Sequence, residues 1–309
     1  MTVPMPTGAE VKLTQPGVYQ LAAEDYHADP VAGGSLSSTG ARKLLDPSCP
    51  ALFKHWQDNP EEHKRSFDFG QAAHAELLGI GRPIRVLDYP DYKTKAAREA
   101  KVAAYAADEI PMLTAEYEVV KAMVAQIRAH PVAAALFNPD TGVGEQTIVW
   151  RDRRTGVACR AMLDWLPNPG DGRLIVPDYK TTARAVDPGS LSKTLAEFGL
   201  HQQGAWYLDA VHAAGLVGDL DPAFVLVFQS KTAPYLVNVV QVDPHALMWG
   251  DVLNQEARAV YAECTRTGRW PGYDQVTSID LPSYTVRQLE DAREAGDLDR
   301  YSNRKQAAA

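Results

Sequence analysis

The sequence has few cysteines, no long apolar run and no basic excess, and each shortage excludes a class of protein. Its three cysteines, Cys49, Cys159 and Cys264, are odd in number and lie far apart. They therefore supply neither a disulfide framework nor a zinc or iron–sulfur motif. No stretch approaches the roughly 20 apolar residues that a membrane span needs. The N-terminus lacks a basic start followed by an apolar run, so we expect no signal peptide and a cytoplasmic protein.

The charge balance narrows the functional classes further. The 309 residues carry 39 acidic and 31 basic side chains, a formal net charge of −8. A protein that coats duplex DNA non-specifically would be basic, so this balance disfavours such a role. It does not disfavour an enzyme that collects divalent cations with clustered carboxylates, because a local basic groove can coexist with an acidic exterior.

Hydrophobic periodicity predicts an α/β fold with a mixed central sheet, flanked by helices and preceded by a helical N-terminal region. We expect an irregular lead-in over residues 1–34, one domain over 35–273 and a tail over 274–309. Within the domain, residues 35–140 are mainly helical and residues 145–273 form the sheet core. In chain order, the sheet core is predicted to contain strands at 145–151, 156–166 and 173–180, a helix at 189–214, strands at 223–229 and 235–242, and a helix at 244–267.

The tripeptide Asp178-Tyr-Lys180 is the strongest chemical signal. Residues i and i+2 of a strand face the same side, so Asp178 and Lys180 project together. With the preceding turn centred near residue 171, an antiparallel register would place Asp164 opposite Asp178. Two adjacent carboxylates suit a divalent cation such as Mg²⁺ or Mn²⁺, and a nearby lysine can orient water or stabilise charge on a phosphate. The ordinary structural explanation for Asp-x-Lys is an exposed salt bridge. The apolar residues that flank Asp164 and Asp178 on their strands disfavour this explanation.

Four further features fit the same site, although each has an ordinary structural explanation. His74 lies on a predicted helix, where a lone histidine is commonly a surface or core residue. Glu145 opens the first strand and is a possible metal ligand or a solvated strand end. Gln203 and Tyr207 share one helix face, as a site pair or a half-buried polar seam. Arg160 faces the same side as Asp164 and would pair with a carboxylate, contact phosphate or lie on the surface.

These residues together resemble a known family: the RecE-type exonucleases of phages and prophages, which are relatives of lambda exonuclease and of the RecB nuclease domain within the PD-(D/E)XK superfamily. The resemblance runs from about Ser35 to Tyr273. The residues that carry it are Leu36-Ser-Ser-Thr-Gly-Ala-Arg-Lys-Leu-Leu, Gly70-Gln-Ala-Ala-His74, Glu145, Arg160-Ala-Met-Leu-Asp164, Asp178-Tyr-Lys180 and Gln203-x-x-x-Tyr207.

The resemblance implies an enzyme that degrades linear double-stranded DNA from an end with Mg²⁺, exposing single strands for recombination. The implied metal ligands are His74, Glu145, Asp164 and Asp178. The implied catalytic residues are Asp164, Asp178, Lys180, Gln203 and Tyr207. The implied DNA or phosphate contacts are Ser35, Ser37, Ser38, Arg42 and Arg160. A homo-oligomeric ring, a single-strand annealing partner and a phage or prophage origin in a bacterial cytoplasm are further expectations.

Two departures from the family pattern affect the details. Pro177 precedes the second aspartate, where a β-branched residue is more usual. The acidic balance also makes the DNA groove hard to place, and our candidates in the helical region are Lys43, Lys54, Lys64, Arg65, Lys93 and Lys95.

Alternative functions within the same fold are a catalytically inactive DNA-binding module, an endonuclease and a CRISPR-associated nuclease. An iron–sulfur nuclease of the CRISPR type would need four cluster cysteines, and a fused NTPase would need a phosphate-binding loop that the sequence lacks.

Overall fold

The computed structural model of the chain describes residues 3–4, 12–59 and 68–298. The chain divides into two compact units, residues 1–272 and residues 273–309. None of the helices in the described ranges is both long and apolar enough to cross a membrane.

The strands are β1 (Val3–Pro4), β2 (Gly17–Gln20), β3 (Leu36–Ser37), β4 (Ile84–Leu87), β5 (Ile110–Leu113), β6 (Gly142–Arg151), β7 (Ala158–Pro167), β8 (Ile175–Thr182), β9 (Ala223–Ser230) and β10 (Val237–Gln241). The helices are α1 (Ala23–His27), α2 (Ser38–Leu44), α3 (Pro50–Asp58), α4 (Asp68–Leu78), α5 (Lys95–Ala106), α6 (Thr114–Ala129), α7 (Pro131–Leu136), α8 (Pro188–Glu197), α9 (Leu200–Ala213), α10 (Pro244–Thr267) and α11 (Ser283–Glu294).

Two sheets meet at the centre of the first unit. The larger has the order β1-β2-β6-β7-β3 and is built on the long antiparallel pair β6 and β7. The smaller has the order β10-β9-β8, in which β8 and β9 run parallel and β9 and β10 run antiparallel. Strands β7 and β8 pack side by side and join the two sheets into one layer. A separate parallel pair consists of β4 and β5.

Helices bury both faces of this layer. On one face, side chains of α2, α9 and α10 pack against Val176 and Phe224 of the strands. On the other face, α4, α6 and α7 pack against Tyr179 and Val227. Alternate residues of β8 and β9 therefore face different helices, because neighbouring side chains on a strand point to opposite sides. The predicted α/β class, with a mixed sheet flanked by helices, is confirmed.

The locally patterned elements lie where the sequence predicts them. Strands β6 to β10 and helix α10 match their expected positions within a few residues. Helix α10 begins where the Asp243 carboxylate accepts a hydrogen bond from the backbone N–H of His245, and it ends at Gly268 in the left-handed region. These are ordinary helix start and stop signals, which explains why its bounds are predictable from sequence.

Two expectations were wrong. The lead-in over residues 1–34 is not irregular throughout, since β2 pairs with β6 and α1 follows it. The helix expected at 189–214 is two helices, because Gly199 adopts φ 60° between them. Residues 35–140 are mainly helical as expected, and they also contain the strand pair β4 and β5. The expected tail contains α11, none of whose residues is buried, while residues 299–309 lie outside the described ranges.

Candidate active site

Strand β8 carries the central pair of charged residues. Asp178 and Lys180 face α9, and the intervening Tyr179 faces α4. Asp178 is fully buried, and its Oδ2 forms an ion pair with the Lys180 ammonium. The predicted same-face arrangement of the two side chains is confirmed by this contact.

Asp164 reaches the pair from β7 by a route that differs from the prediction. An antiparallel pairing of residues 164 and 178 is wrong, because β7 and β8 belong to different hydrogen-bonded sheets. Asp164 Oδ2 instead accepts a hydrogen bond from the backbone N–H of Tyr179 at 2.8 Å. Backbone N–H groups two residues apart on a strand point towards the same neighbouring strand. Pro177 has no N–H, and the N–H of Tyr179 is used by the Asp164 carboxylate. The edge of β8 that faces β7 therefore has no backbone N–H at these two positions to donate to a neighbouring strand.

Helix α9 holds Asp178 from the other side. Gln203 Nε2 donates to Asp178 Oδ1 at 3.1 Å and to the Tyr207 hydroxyl at 2.9 Å. Both side chains are buried, and their i, i+4 spacing places them on the helix face that meets β8. The structure thus brings the predicted pair to the carboxylate, with Gln203 in direct contact and Tyr207 one step behind.

Glu145 lies across the β6–β7 pair from Asp164. Gly144 pairs with Trp165 and Gln146 with Leu163, so the unbroken register places Glu145 opposite Asp164. Glu145 adopts φ 48°, in the left-handed region, although it lies inside a strand. Non-glycine residues rarely take this conformation, and where they do the strain is commonly found at functional sites.

His74 approaches Asp164 from α4. Its Nδ1 lies 3.7 Å from Asp164 Oδ2, and its ring packs 4.9 Å from the Tyr179 ring between centroids. Burial and the nearby Lys180 ammonium lower the pKa of His74 to about 4. The imidazole is therefore neutral at pH 7, the form in which a ring nitrogen can bind a metal.

Burial determines the protonation of the acidic groups. It raises the pKa of Asp178 to about 6, in spite of the opposing effect of Lys180. Burial also raises the pKa of Asp164. It raises the pKa of Glu145 as well, and the nearby charge of Asp164 raises that pKa further. Burial alone would lower the pKa of Lys180, but Asp178 and Asp164 outweigh it, so the pKa is raised. Lys180 is a protonated cation facing carboxylates that lack solvation.

Comparison with known proteins places the chain in a family. Residues 37–281 match the family described as "PDDEXK-like domain of unknown function (DUF3799)". The chain belongs to this PDDEXK-like family. The matched range contains Asp164, Asp178 and Lys180, and the PD-(D/E)XK assignment made from the sequence is thereby confirmed. The RecE-type specificity stays a prediction.

Solved structures give the fold alone. A crystal structure described as "Putative exonuclease" from Eubacterium rectale aligns with a TM-score of 0.55 at 12% identity, over 86% of this chain and 98% of that chain. The structure of SSO0001 aligns over 66% of this chain and 85% of that chain, at 12% identity and a TM-score of 0.28, too low to bear on the fold. No curated protein sequence is significantly similar to this chain.

A divalent cation fits the donor set of this PDDEXK-like site, but the site is not a closed cage. Among the described residues, no three histidine, cysteine or acidic side chains converge on one point. Mg²⁺ does not require such a cage, because it keeps several waters and uses one or two carboxylates plus substrate phosphates. Asp164 and Asp178 are two carboxylates whose pKa values are raised by burial, and a cation between them would stabilise their ionised forms.

Two of the predicted phosphate contacts have structural roles instead. Arg160 is buried, where it forms an ion pair with Asp29 at 3.0 Å and donates to the Ser35 carbonyl at 2.9 Å. The Ser35 hydroxyl donates to Asp29 at 2.7 Å and is also buried. The prediction of a phosphate contact for Arg160 and Ser35 does not agree with this placement, because both are satisfied inside the protein.

The other predicted phosphate contacts lie on α2. Ser37 caps the helix by accepting the Gly40 N–H at 3.1 Å, while Ser38 is buried one residue later and its hydroxyl makes no hydrogen bond within the described residues. Arg42 donates to the Phe198 carbonyl at 2.9 Å and is close enough to Asp178 to feel its charge. Arg42 is therefore the residue of this group that stays beside the candidate site.

The candidate DNA-groove lysines have partners of their own. Lys54, Lys93 and Lys95 form ion pairs with nearby carboxylates, and Lys43 lies 4.2 Å from the Trp56 ring centroid. Lys64 and Arg65 lie outside the described residues.

The sequence reasoning missed one group in the site, the backbone N–H of Tyr179 that holds Asp164. No sequence signal marks it, because every residue except proline carries this donor.

Proposed function

We propose that this protein is a Mg²⁺-dependent deoxyribonuclease that degrades linear double-stranded DNA from an end. The observation that carries the proposal is the meeting of Asp164, Asp178 and Lys180 at the junction of β7 and β8. A nuclease is also what membership of the PDDEXK-like family supports. Mn²⁺ is expected to substitute for Mg²⁺, since both prefer oxygen ligands.

The side chains have separable tasks in this proposal. Asp164 and Asp178, with His74 and Glu145 beside them, would hold a Mg²⁺ ion, which when bound supplies Lewis-acid stabilisation of charge on the phosphate. Lys180 keeps its proton at neutral pH, so it donates hydrogen bonds to a developing phosphate charge rather than accepting a proton. Gln203 fixes the orientation of Asp178.

Two observations support the preference for DNA ends. The structural neighbour from Eubacterium rectale is described as a "Putative exonuclease". Arg42 stands beside Asp178 with guanidinium donors suited to a terminal phosphate. We also propose a cytoplasmic homo-oligomer of phage or prophage origin that passes single strands to an annealing protein, and mass photometry tests its oligomeric state.

The test is digestion of linear and covalently closed circular duplex DNA of the same sequence, with Mg²⁺ and with EDTA. Metal-dependent loss of the linear form alone supports the end-dependent exonuclease. Cutting of the circle turns the proposal to an endonuclease that uses the same residues. Survival of both forms contradicts the nuclease, and a binding assay then tests the inactive DNA-binding module.

A further inference from the structure

Lys231 is the first residue after β9, the strand that pairs with β8 of the candidate site. Strands β8 and β9 are parallel, with Lys180 beside Phe228 and Thr182 beside Ser230. The Lys231 N–H donates to the Thr182 carbonyl at 2.8 Å, so Lys231 extends this ladder by one residue. From the usual rise along a strand and the usual spacing between strands, its Cα lies roughly 11 Å from that of Lys180.

An aromatic ring supports the Lys231 ammonium. Its Nζ lies 5.6 Å from the centroid of Phe69, in the first turn of α4. The next residue, Gly70, lies against β8, where a Cβ would be in ordinary van der Waals contact with Thr181 Oγ1 at 3.6 Å. His74 of the candidate site lies on α4 five residues after Phe69, about 7.5 Å of helix rise. The same helix therefore holds the ring under Lys231 and a group of the site.

The charge of Lys231 is supported but not neutralised. Within the described residues, no carboxylate forms an ion pair with it. The face of an aromatic ring attracts an ammonium group but brings no net negative charge. Partial burial lowers the pKa of Lys231, which reflects this lack of a compensating anion. Lys121 is the contrasting case, since it lies 5.4 Å from the Tyr117 ring centroid and also 2.7 Å from a Glu118 oxygen.

We infer that the Lys231 ammonium, held over Phe69, binds a backbone phosphate that flanks the one being cleaved. This inference rests on the proposed nuclease function. Lys231 lies on the α4 face of the sheet, the face from which His74 reaches Asp164, whereas Lys180 faces α9. Lys231 therefore lies beside the site, where it would contact the strand without touching the reacting atoms. Its contribution is to substrate affinity and to the dependence of binding on salt.

The experiment measures binding and cleavage by full-length protein carrying Lys231→Ala, Lys231→Arg or the control Lys121→Ala. Binding of a fluorescent duplex is followed over a range of salt in an Asp178→Asn background, so that no cleavage occurs. Cleavage is followed in protein that retains Asp178. The substrates are the duplex and thymidine 5′-(4-nitrophenyl phosphate), which has one phosphodiester and no flanking phosphate. Thermal melts check that each variant is folded.

For Lys231→Ala we expect KM on duplex DNA to rise roughly three- to tenfold, as loss of one charged phosphate contact implies, with kcat unchanged. The slope of log K against log salt should fall by about 0.9. Lys231→Arg and Lys121→Ala should bind and cut like the wild type, and all variants should cleave the small diester equally.

An active nuclease in which Lys231→Ala alters neither KM nor the salt slope overturns this inference alone. A wild-type protein that neither cuts nor binds DNA overturns the proposed function, and this inference with it.

Discussion

Gln203 offers a test of how far the site depends on a residue that would not itself touch the substrate. Its side-chain amide donates to Asp178 Oδ1 at 3.1 Å and to the Tyr207 hydroxyl at 2.9 Å. Gln203→Leu keeps a similar volume but removes both hydrogen bonds. Asp178, which is fully buried, then keeps its ion pair with Lys180 but is free to turn away from the orientation that a metal needs.

The size of the effect follows from the kind of hydrogen bond that is lost. A hydrogen bond to a buried charged group contributes about 1.5–3 kcal/mol, and each 1.4 kcal/mol corresponds to about a factor of ten. Mutation of a residue that orients a metal ligand typically lowers metal affinity by about 10- to 100-fold. We therefore expect Gln203→Leu to raise the Mg²⁺ concentration for half-maximal cleavage by about 10- to 100-fold.

The adjacent residue is a matched control. Gln202 lies on the same helix and is also buried, but its Nε2 makes no hydrogen bond within the described part of the chain. Gln202→Leu removes an unsatisfied donor and should leave stability equal or higher, with an unchanged Mg²⁺ requirement. The assay is the initial rate of linear-duplex cleavage over a Mg²⁺ titration. If both variants match the wild type, Gln203 does not position Asp178 for metal binding.

Three other predictions concern catalysis, end recognition and stability. Single alanine substitutions of Asp164, Asp178 and Lys180 should each abolish cleavage while the circular dichroism spectrum stays native. Full activity in any of the three variants would mean that the site is misplaced. Arg42→Ala should remove the preference for 5′-phosphorylated over 5′-hydroxyl ends, measured as a rate ratio, and an unchanged ratio would exclude Arg42 from end recognition. Arg258→Ala should lower the free energy of unfolding by about 3–5 kcal/mol in urea titrations, because Arg258 is buried and pairs with Asp209 at 2.6 Å and Asp152 at 3.1 Å. A loss below about 1 kcal/mol would show that these carboxylates are satisfied without it.

Local pattern alone predicted the elements of the site and the pairs within each element. Asp178 and Lys180 share a face because side chains alternate along any strand, and Gln203 and Tyr207 share a face because i, i+4 residues neighbour on any helix. The bounds of α10 follow from its capping residues for the same reason. These relations depend on backbone geometry over a few residues.

Only the tertiary structure decided how those elements meet. Asp164 lies by the Tyr179 N–H rather than opposite Asp178, and Arg160 is paired with Asp29 inside the protein rather than offered to phosphate. The β2 strand exists because it pairs with β6, more than a hundred residues away. Such contacts join residues that are distant in sequence. Which residues become partners depends on which polar side chains and backbone N–H groups still lack a hydrogen-bond partner when the sheets and helices pack together.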